Sequence, residues 1–327
     1  MTRALPLGLA LLLAACGATP RYPDPAAQRA LPPVEVPALA PGTAHERFIA
    51  FGDWGTGRPG QREVARAMAA WARRDGGIAF MLTVGDNFYP RGVASVDDPH
   101  WRESFEEVYD DPALDVPVHA TLGNHDHKGD PDAQVAYGRR NPRWVMPARH
   151  YHFTRALADG TEVHFFALDT TFILEEPAQV AWLDEALGAS TARWKIVYGH
   201  HPLYARGKRG PDAAMIALLE PLFVRHGVDL YLAGHDHVLE VLQPKRGVQH
   251  VVTGAGGGVE RMDRATWTSD TIYTSTGGGF VGARVTRDEL LLEFVRETGR
   301  TQFVHALRKA DAPDEVAAPV GAESAGE

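Results

Sequence analysis

The chain has 327 residues, of which 44% are hydrophobic, and this is enough for a globular core of one or two domains. Its formal net charge of −9 at pH 7 argues against a nucleic-acid partner, because phosphate backbones are bound by basic surfaces. The single cysteine excludes an intrachain disulfide, so the folded part must be stabilised by its core alone.

The N-terminus has the features of an export signal. A basic start precedes the apolar stretch Leu5 to Ala15, which is too short to span a bilayer. Leu13-Ala14-Ala15-Cys16 resembles the bacterial lipoprotein cleavage box, with Cys16 as the lipidated residue; an ordinary signal peptide with an incidental cysteine is the alternative. We therefore expect residues 1–16 to be a lipoprotein signal peptide and the protein to be exported and lipid-anchored to a bacterial membrane. Gly17 after Cys16 favours the outer membrane.

Composition divides the rest of the chain into three parts. Residues 17–46 are rich in Pro and Ala without a sustained apolar period, which is typical of a flexible tether. Residues 47–310 are expected to form the folded domain. Residues 311–327 contain Ala, Pro and Glu without an aromatic residue, and they predict a disordered tail.

The first half of the predicted domain alternates strands with helices. Such β-α-β order implies parallel strands joined by right-handed crossovers. In chain order we predict a strand at Phe48–Phe51, a helix at Gln61–Arg74, a strand at Ile78–Val84, a helix at Trp101–Tyr109 and a strand at Val116–Leu122.

The second half is richer in strands, and its glycine cluster Gly254–Gly258 lies between two of them. That cluster is therefore interpreted as a turn and not as a phosphate-binding loop, which would open a helix. The whole pattern predicts an α/β sandwich of two mixed β-sheets packed face to face, with helices on the outer faces. The predicted strands are His150–Phe153, Glu162–Leu168, Trp194–Tyr198, Val228–Ala233, Leu239–Leu242, Val248–Thr253, Gly279–Val285 and Leu290–Arg296, and the helices are Ala178–Leu187 and Ala213–His226.

Five of these strands end in side chains that carry oxygen or nitrogen donors. Each donor taken alone could be a turn or core residue. Five in succession at equivalent strand ends predict a metal site, because open α/β sheets bind ligands at the carboxyl ends of their strands. In chain order the donors are Asp53, Asp86 with Tyr89, Asn124 with His125, His200, and His235 with His237.

The same segments resemble the five motifs of the purple acid phosphatases, most closely the small, single-domain, tartrate-resistant type. The resemblance covers roughly Phe48 to Lys309 and implies the metallophosphoesterase sandwich described above. The motifs read Gly-Asp-Trp-Gly, Gly-Asp-Asn-Phe-Tyr, Gly-Asn-His-Asp, Val-Tyr-Gly-His and Gly-His-Asp-His, at residues 52–55, 85–89, 123–126, 197–200 and 234–237.

The resemblance implies a dinuclear metal centre in which Asp86 bridges the two ions. One ion takes Asp53, Asp86, Tyr89 and His237, and the other takes Asp86, Asn124, His200 and His235. The phenolate and two carboxylates of the first site favour Fe³⁺, and the second site suits a divalent ion, namely Fe²⁺, Zn²⁺ or Mn²⁺.

One departure from the wider superfamily concerns the first motif. Most metallophosphoesterases have Asp-x-His there, whereas Gly55 occupies the histidine position in this chain.

The implied activity is that of an acid phosphatase, a phosphoric monoester hydrolase in which a metal-bound hydroxide attacks phosphorus in line. A ferric and a divalent ion bring five positive charges, and Asp53, Asp86, the Tyr89 phenolate and a bridging hydroxide remove four. The centre therefore keeps about one positive charge in an acidic protein, which favours a small, dianionic phosphate monoester as the substrate.

Two residues outside the ligand set are expected to contact the substrate. By resemblance His125 bonds the phosphate or protonates the leaving group, and a purely structural role is the alternative. Arg209 precedes Gly210-Pro211, where the small purple acid phosphatases usually have a second outer-sphere histidine. Arginine binds phosphate but does not readily donate a proton, and an exposed loop with solvated charges is the alternative there. His127 and His201 receive no role beyond structure or the rim.

Two other functions fit the same sequence. A phosphodiesterase of the same superfamily would keep the metal ligands and change only the pocket rim. A non-catalytic phosphate- or metal-binding lipoprotein would keep the fold, although the intact ligand set and His125 count against it. In each case the sequence predicts membrane contact through lipidated Cys16 only and no nucleic-acid partner.

Overall fold

The structure is a computed structural model that describes residues 34–207, 209–258 and 268–309. The predicted signal peptide with Cys16, the first part of the predicted tether and the predicted tail lie outside these ranges. Within them the strands are β1 (Glu46–Phe51), β2 (Phe80–Val84), β3 (Val118–Thr121), β4 (Trp144–Val145), β5 (Tyr151–Ala156), β6 (Glu162–Ala167), β7 (Trp194–Tyr198), β8 (Leu230–Ala233), β9 (Leu239–Leu242), β10 (Gln249–Thr253), β11 (Thr271–Ser275), β12 (Gly279–Val285), β13 (Glu289–Arg296) and β14 (Thr301–Arg308). The α-helices are α1 (Pro59–Ala72), α2 (Pro131–Tyr137), α3 (Pro177–Ala189) and α4 (Ala213–Arg225).

The strands form two seven-stranded sheets. The first has the order β14-β13-β12-β1-β2-β3-β4, and the second has the order β11-β9-β10-β8-β7-β6-β5. Strands β1 to β4 pair in parallel and form one side of the first sheet, whereas β12, β13 and β14 are antiparallel on its other side. In the second sheet β6, β7, β8 and β10 pair in parallel at the centre, with antiparallel pairs on both sides. Each sheet is therefore mixed, and the carboxyl ends of its parallel strands lie on one side.

The two sheets pack face to face through aromatic side chains. The ring of Phe48 on β1 stacks on Phe80 of β2 at 5.0 Å and meets Phe165 of β6 edge-on at 5.5 Å. These three residues alternate with side chains on the opposite face of each sheet, as the two-residue period of a strand requires, and neighbours such as Ile49 and Phe166 are also buried there.

Helices cover the outer faces. Helix α1 places Trp71 on the outward side of the first sheet, where the Arg47 guanidinium lies 4.0 Å from the indole ring. Helix α4 packs Phe223 against Tyr231 of β8, with ring centroids 5.4 Å apart, on the outward side of the second sheet. Two mixed sheets with helices outside confirm the architecture predicted from the sequence.

Some elements differ from the prediction. The helix expected at Trp101–Tyr109 is a π-helical turn at Trp101–Glu106. The sequence prediction also missed β4, β11, β14 and α2. Strand β4 has only two residues, and β11 and β14 are edge strands with partly exposed, mixed side chains, so neither shows a clear apolar period. Helix α2 has only seven residues, although Asp130 at its N-cap and Pro131 in its first turn are start signals.

The described part of the predicted tether lies against the domain. The Val34 amide donates to Thr301 O at 3.3 Å, and the Arg284 guanidinium donates to Pro37 O at 2.9 Å. Strand β1 then begins at Glu46. Both hydrogen bonds involve backbone atoms of the segment, so its amino-acid composition could not have predicted that it packs on the domain. None of the helices in the described ranges is long and apolar enough to cross a membrane.

Candidate metal centre

The predicted donors come from loops that follow five parallel strands, three in one sheet and two in the other. Three of them, Asp53, Asp86 and His235, have positive φ angles of 58°, 49° and 70°. Side chains other than glycine rarely adopt this left-handed conformation, and it persists where the surrounding structure requires it, as at functional sites. The strand ends thus bring their donors together through a strained backbone.

Tyr89 lies at the middle of the first group of donors. Its hydroxyl is 3.0 Å from Asp53 Oδ1, 2.9 Å from Asp86 Oδ2 and 3.2 Å from His237 Nε2. The same His237 nitrogen lies 3.3 Å from Asp53 Oδ1. These are the four residues that the sequence assigned to the ferric ion, and their donor atoms converge on one point.

His200 lies at the middle of the second group. Its Nε2 is 3.2 Å from Asn124 Oδ1, 3.0 Å from His235 Nδ1 and 3.4 Å from Asp86 Oδ1. Asp86 therefore presents one oxygen to each group, as the predicted bridging ligand must.

The hydrogen bond on the far side of His200 fixes its tautomer. Nδ1 lies 3.0 Å from Val84 O, and because a carbonyl only accepts, Nδ1 carries the proton and Nε2 keeps its lone pair. Burial lowers the pKa values of both His200 and His235, so both rings are neutral, as metal ligands must be.

The two carboxylates are buried next to each other. Burial, together with the charge of Asp86, raises the pKa of Asp53 to about 6, against the opposing effect of His237. Two adjacent buried carboxylates are costly without a compensating cation. Gly123 leaves room beside them, since a Cβ at this position would overlap Asp86 Oδ1. The donor set, its burial and its tautomers fit two bound metal ions.

Gly55 explains why the first group contains a phenol. A Cβ at this position would overlap Asn87 O, so the loop has no room for the histidine found there in most metallophosphoesterases. The Tyr89 amide donates to Gly55 O at 2.8 Å, and this bond ties the phenol-bearing segment to the first loop.

Sequence reasoning assigned no role to Asp126, which joins two ligand loops. Its buried carboxylate accepts hydrogen bonds from the amides of Asn87, Phe88 and Gly123 at 2.8–3.2 Å and from Gln134 Nε2 at 2.9 Å. Its place in the Gly-Asn-His-Asp motif was the signal that could have identified it.

His125 faces the centre from the loop after β3. Its Nδ1 lies 2.6 Å from Pro90 O, and its Nε2 lies 4.0 Å from Asp86 Oδ2. Its ring packs 4.6 Å from that of Tyr89. Because Nδ1 contacts the Pro90 carbonyl, Nε2 is the ring nitrogen of His125 that faces the candidate metal ligands.

Arg209 lies at the rim on the other side. Its Nη1 donates to His235 O at 2.7 Å and contacts Asp236 Oδ1 at 3.3 Å, while 43% of its side chain remains exposed. It lines a cleft of about 420 Å³ together with His201 and His235. His127 instead turns away to Asp169, with Nε2 2.8 Å from the carboxylate.

Two mixed sheets with carboxylate, phenol and imidazole donors at their common end define a metallophosphoesterase-type protein. The family described as calcineurin-like phosphoesterase matches residues 46–239, which is more than half of the chain. The chain is 33% identical to tartrate-resistant acid phosphatase type 5 of Oryctolagus cuniculus over 80% of its own length and 91% of that protein. It is 30% identical to purple acid phosphatase 4 of Arabidopsis thaliana, over 78% and 81% of the two chains.

Solved structures give the same result. GAP50, described as the anchor in the inner membrane complex of Plasmodium, is similar with a TM-score of 0.73 and 25% identity over 81% of this chain and 89% of that one. A purple acid phosphatase from Lupinus luteus seeds has the same fold, with a TM-score of 0.64 and 17% identity over 86% of this chain and 58% of that one. The chain therefore belongs to the calcineurin-like phosphoesterase family and, within it, to the tartrate-resistant and purple acid phosphatases.

Proposed function

We propose that the protein is a dinuclear metal hydrolase that releases inorganic phosphate from phosphate monoesters. The observation that carries this proposal is the convergence of seven donor side chains from two sheets into two groups that share Asp86. The relatives named acid phosphatases, at 30–33% identity, support the same activity.

The donor types favour different ions in the two groups. Asp53, Asp86, Tyr89 and His237 form a hard, anionic set suited to Fe³⁺, because a phenol with an ordinary pKa near 10 loses its proton only to a highly charged ion. Asp86, Asn124, His200 and His235 form a more neutral set suited to Fe²⁺, Zn²⁺ or Mn²⁺. When bound, the two ions supply positive charge for the phosphoryl oxygens and acidify a water molecule.

Substrate binding and proton transfer to the leaving group are assigned to side chains around the donors. The Arg209 guanidinium can donate hydrogen bonds to phosphoryl oxygens from the rim of the cleft. The His125 imidazole, oriented by Pro90 O, can bond the phosphate or give a proton to the leaving oxygen.

The activity is tested by comparing 4-nitrophenyl phosphate with its bis(4-nitrophenyl) diester on the same preparation. We expect faster release of nitrophenol from the monoester. Faster hydrolysis of the diester would favour the phosphodiesterase alternative, and hydrolysis of neither by protein with both metals bound would favour the non-catalytic one.

The ferric assignment is tested by metal analysis together with the visible spectrum. We expect one iron and one further metal ion per chain, and a charge-transfer band that Tyr89→Phe abolishes. Tyr137→Phe is the matched control, because its hydroxyl bonds Glu106 and not the donors, and it should keep the band. Zinc in both sites of a protein that stays colourless after oxidation would contradict the assignment.

We also propose export and membrane anchoring through Cys16, on the pattern of the first sixteen residues alone. Mass spectrometry of the mature N-terminus should find a diacylglyceryl adduct on Cys16, and Cys16→Ser should move the protein out of the membrane fraction. An unmodified N-terminus in wild-type protein would contradict this proposal.

A further inference from the structure

His201 follows the metal ligand His200 and has no role in the function proposed so far. Its ring centroid lies 4.4 Å from that of His235 and 4.9 Å from that of His200. One ring nitrogen from each of these three histidines lies within 4.8 Å of the others. By residue type and distance alone, His201 could be a third imidazole ligand of the second ion.

The hydrogen bonds of Thr170 decide against that role. The hydroxyl oxygen of this buried residue accepts from the backbone amides of His200 at 3.1 Å and His201 at 2.9 Å. The same oxygen lies 2.9 Å from His201 Nδ1. A hydroxyl has two lone pairs and one proton, and because the two amides occupy the lone pairs, its proton must be donated to Nδ1.

The tautomer of His201 follows from this contact. Nδ1 accepts a hydrogen bond, so the proton of the neutral ring is on Nε2. His200 has the opposite arrangement, with the proton on Nδ1 and the lone pair on Nε2. A nitrogen that ligates a metal needs a lone pair, and His201 has none to offer on Nε2 and has committed the one on Nδ1 to Thr170.

We propose that His201 is a substrate-binding residue whose Nε2–H donates a hydrogen bond to a phosphoryl oxygen in the cleft that it lines with Arg209 and His235. This inference rests on the proposed phosphatase function and extends it. The cleft, at about 420 Å³, has room for a small phosphate ester. An imidazole N–H from position 201 would stand beside the guanidinium at position 209, where related chains usually have a histidine.

The proposal is tested by the equilibrium binding of orthophosphate to the metal-loaded protein, measured by calorimetry. His201→Ala should weaken binding about tenfold, the usual size for one hydrogen bond to a charged group. Both metals and the visible band should be retained. KM for the monoester should rise by more than kcat falls, because the lost contact is made in the ground state as well. His201→Gln keeps a side-chain N–H donor and should recover part of the affinity.

Substitutions of Thr170 give a second test, which applies to protein that retains both metals because the same hydroxyl also accepts from the amide of the candidate ligand His200. Thr170→Val removes the hydroxyl that holds the tautomer and should weaken phosphate binding in the same direction, whereas Thr170→Ser should restore it. His45→Ala is the matched control, because this histidine hydrogen-bonds Thr43 O in the N-terminal segment, does not line the cleft of Arg209 and His235, and should leave phosphate affinity unchanged.

Two results would overturn the inference while leaving the phosphatase function intact. Loss of one metal equivalent in His201→Ala would make His201 a ligand. Unchanged phosphate affinity with both metals bound would remove it from the substrate site. Wild-type protein that binds neither metal nor phosphate would instead contradict the proposed function itself. Should His201→Ala fail to fold, the comparison of Thr170→Val with Thr170→Ser gives the same decision.

Discussion

The two ring nitrogens of His125 have different surroundings, with Nδ1 at a backbone carbonyl and Nε2 on the side of the metal-ligand candidates. Its Nδ1 is engaged by Pro90 O, and its ring is packed on Tyr89, so Nε2 is held 4.0 Å from the carboxylate of Asp86. In the proposed mechanism, a histidine held in this way would not need to become ordered during the reaction. The loss of the imidazole should therefore affect turnover more than binding.

We expect His125→Ala to lower kcat about a hundredfold for an alkyl phosphate, at the lower end of the usual range for general acid catalysis. The fall should be much smaller for 4-nitrophenyl phosphate, because nitrophenolate leaves without needing a proton. Steady-state kinetics on both substrates measures the difference, with His45→Ala as the control. Equal losses on both substrates would assign His125 to phosphate binding.

Among the loops, Asp126 joins the segment after β2 to the segment after β3. Through the amides of Asn87, Phe88 and Gly123 it holds the backbone that carries the candidate ligands Asp86, Tyr89 and Asn124. Asp126 is fully buried, and this burial, together with the charge of Asp86, raises the pKa of its carboxyl group. The geometry of both donor groups therefore depends on a residue that belongs to neither group.

Asp126→Asn should lower metal affinity ten- to a hundredfold, the usual effect of losing a group that orients ligands. The amide keeps the shape of the side chain but replaces one acceptor oxygen with a donor that faces backbone amides. Metal content after stepwise competition with a chelator measures the change. The exposed N-cap change Asp130→Asn is the control, since it leaves a capping side chain on α2, and its metal affinity should match wild type.

The sequence predicted the central elements and the donors because both leave local signals. Buried parallel strands such as Trp194–Tyr198 are short apolar runs, and the donors follow directly where each run ends. Strand β14 is held by pairing with β13 at the edge of a sheet, and its half-exposed side chains carry no such period. The bonds of Asp126 to Asn87 and Phe88 and the contacts of Thr170 join residues that are 38 to 39 and 30 to 31 positions apart, so no local pattern could have predicted this geometry.

For the molecule as a whole, neither sheet holds a complete set of ligands. Asp53, Asp86, Tyr89 and Asn124 follow strands of the first sheet, whereas His200, His235 and His237 follow strands of the second. Each ion would thus connect the two layers. Because a ligand that binds only the folded state stabilises it, metal should contribute to the free energy of unfolding.

We expect removal of both metals with a chelator to lower the melting temperature by several degrees, and restoration of metal to reverse the change. Calorimetry of metal-free and reloaded protein measures it. The Tyr89→Phe variant, which still offers three ligands to the first ion, should show a smaller difference. Identical melting of metal-free and loaded protein would contradict a centre that links the sheets.

Acid should destabilise the fold through histidines whose rings are neutral in the folded state, namely the partly buried His119 and the buried His250. Burial, with the charge of Arg155, lowers the pKa of His119 to about 4, and burial lowers that of His250 to about 3. Between about pH 6.5 and pH 4 the unfolded chain binds protons that the folded chain excludes at these sites, so stability falls as the pH falls. Each site contributes on the order of 1 kcal/mol per pH unit in this window.

His119→Phe isolates this effect, since His119 stacks on Phe153 at 3.7 Å and an aromatic ring without a proton site preserves that contact. The melting temperature of the variant should be close to that of wild type at pH 7. As the pH is lowered to 4.5, the variant should melt at an increasingly higher temperature than wild type. Thermal melts across this range measure the gap. A gap that stays constant with pH would show that His119 does not titrate differently in the folded and unfolded states.

The crowding of Gly55 against Asn87 O has a consequence for the history of the site. Any side chain at position 55 would collide with the carbonyl of Asn87. A single substitution therefore cannot introduce the histidine that is typical of other metallophosphoesterases at this position. Both loops would first have to separate, and the phenol at position 89 would be redundant only afterwards. An intermediate lineage would thus have separated loops before it gained any histidine ligand. This barrier would help to retain the tyrosine and the ferric ion that we propose it binds.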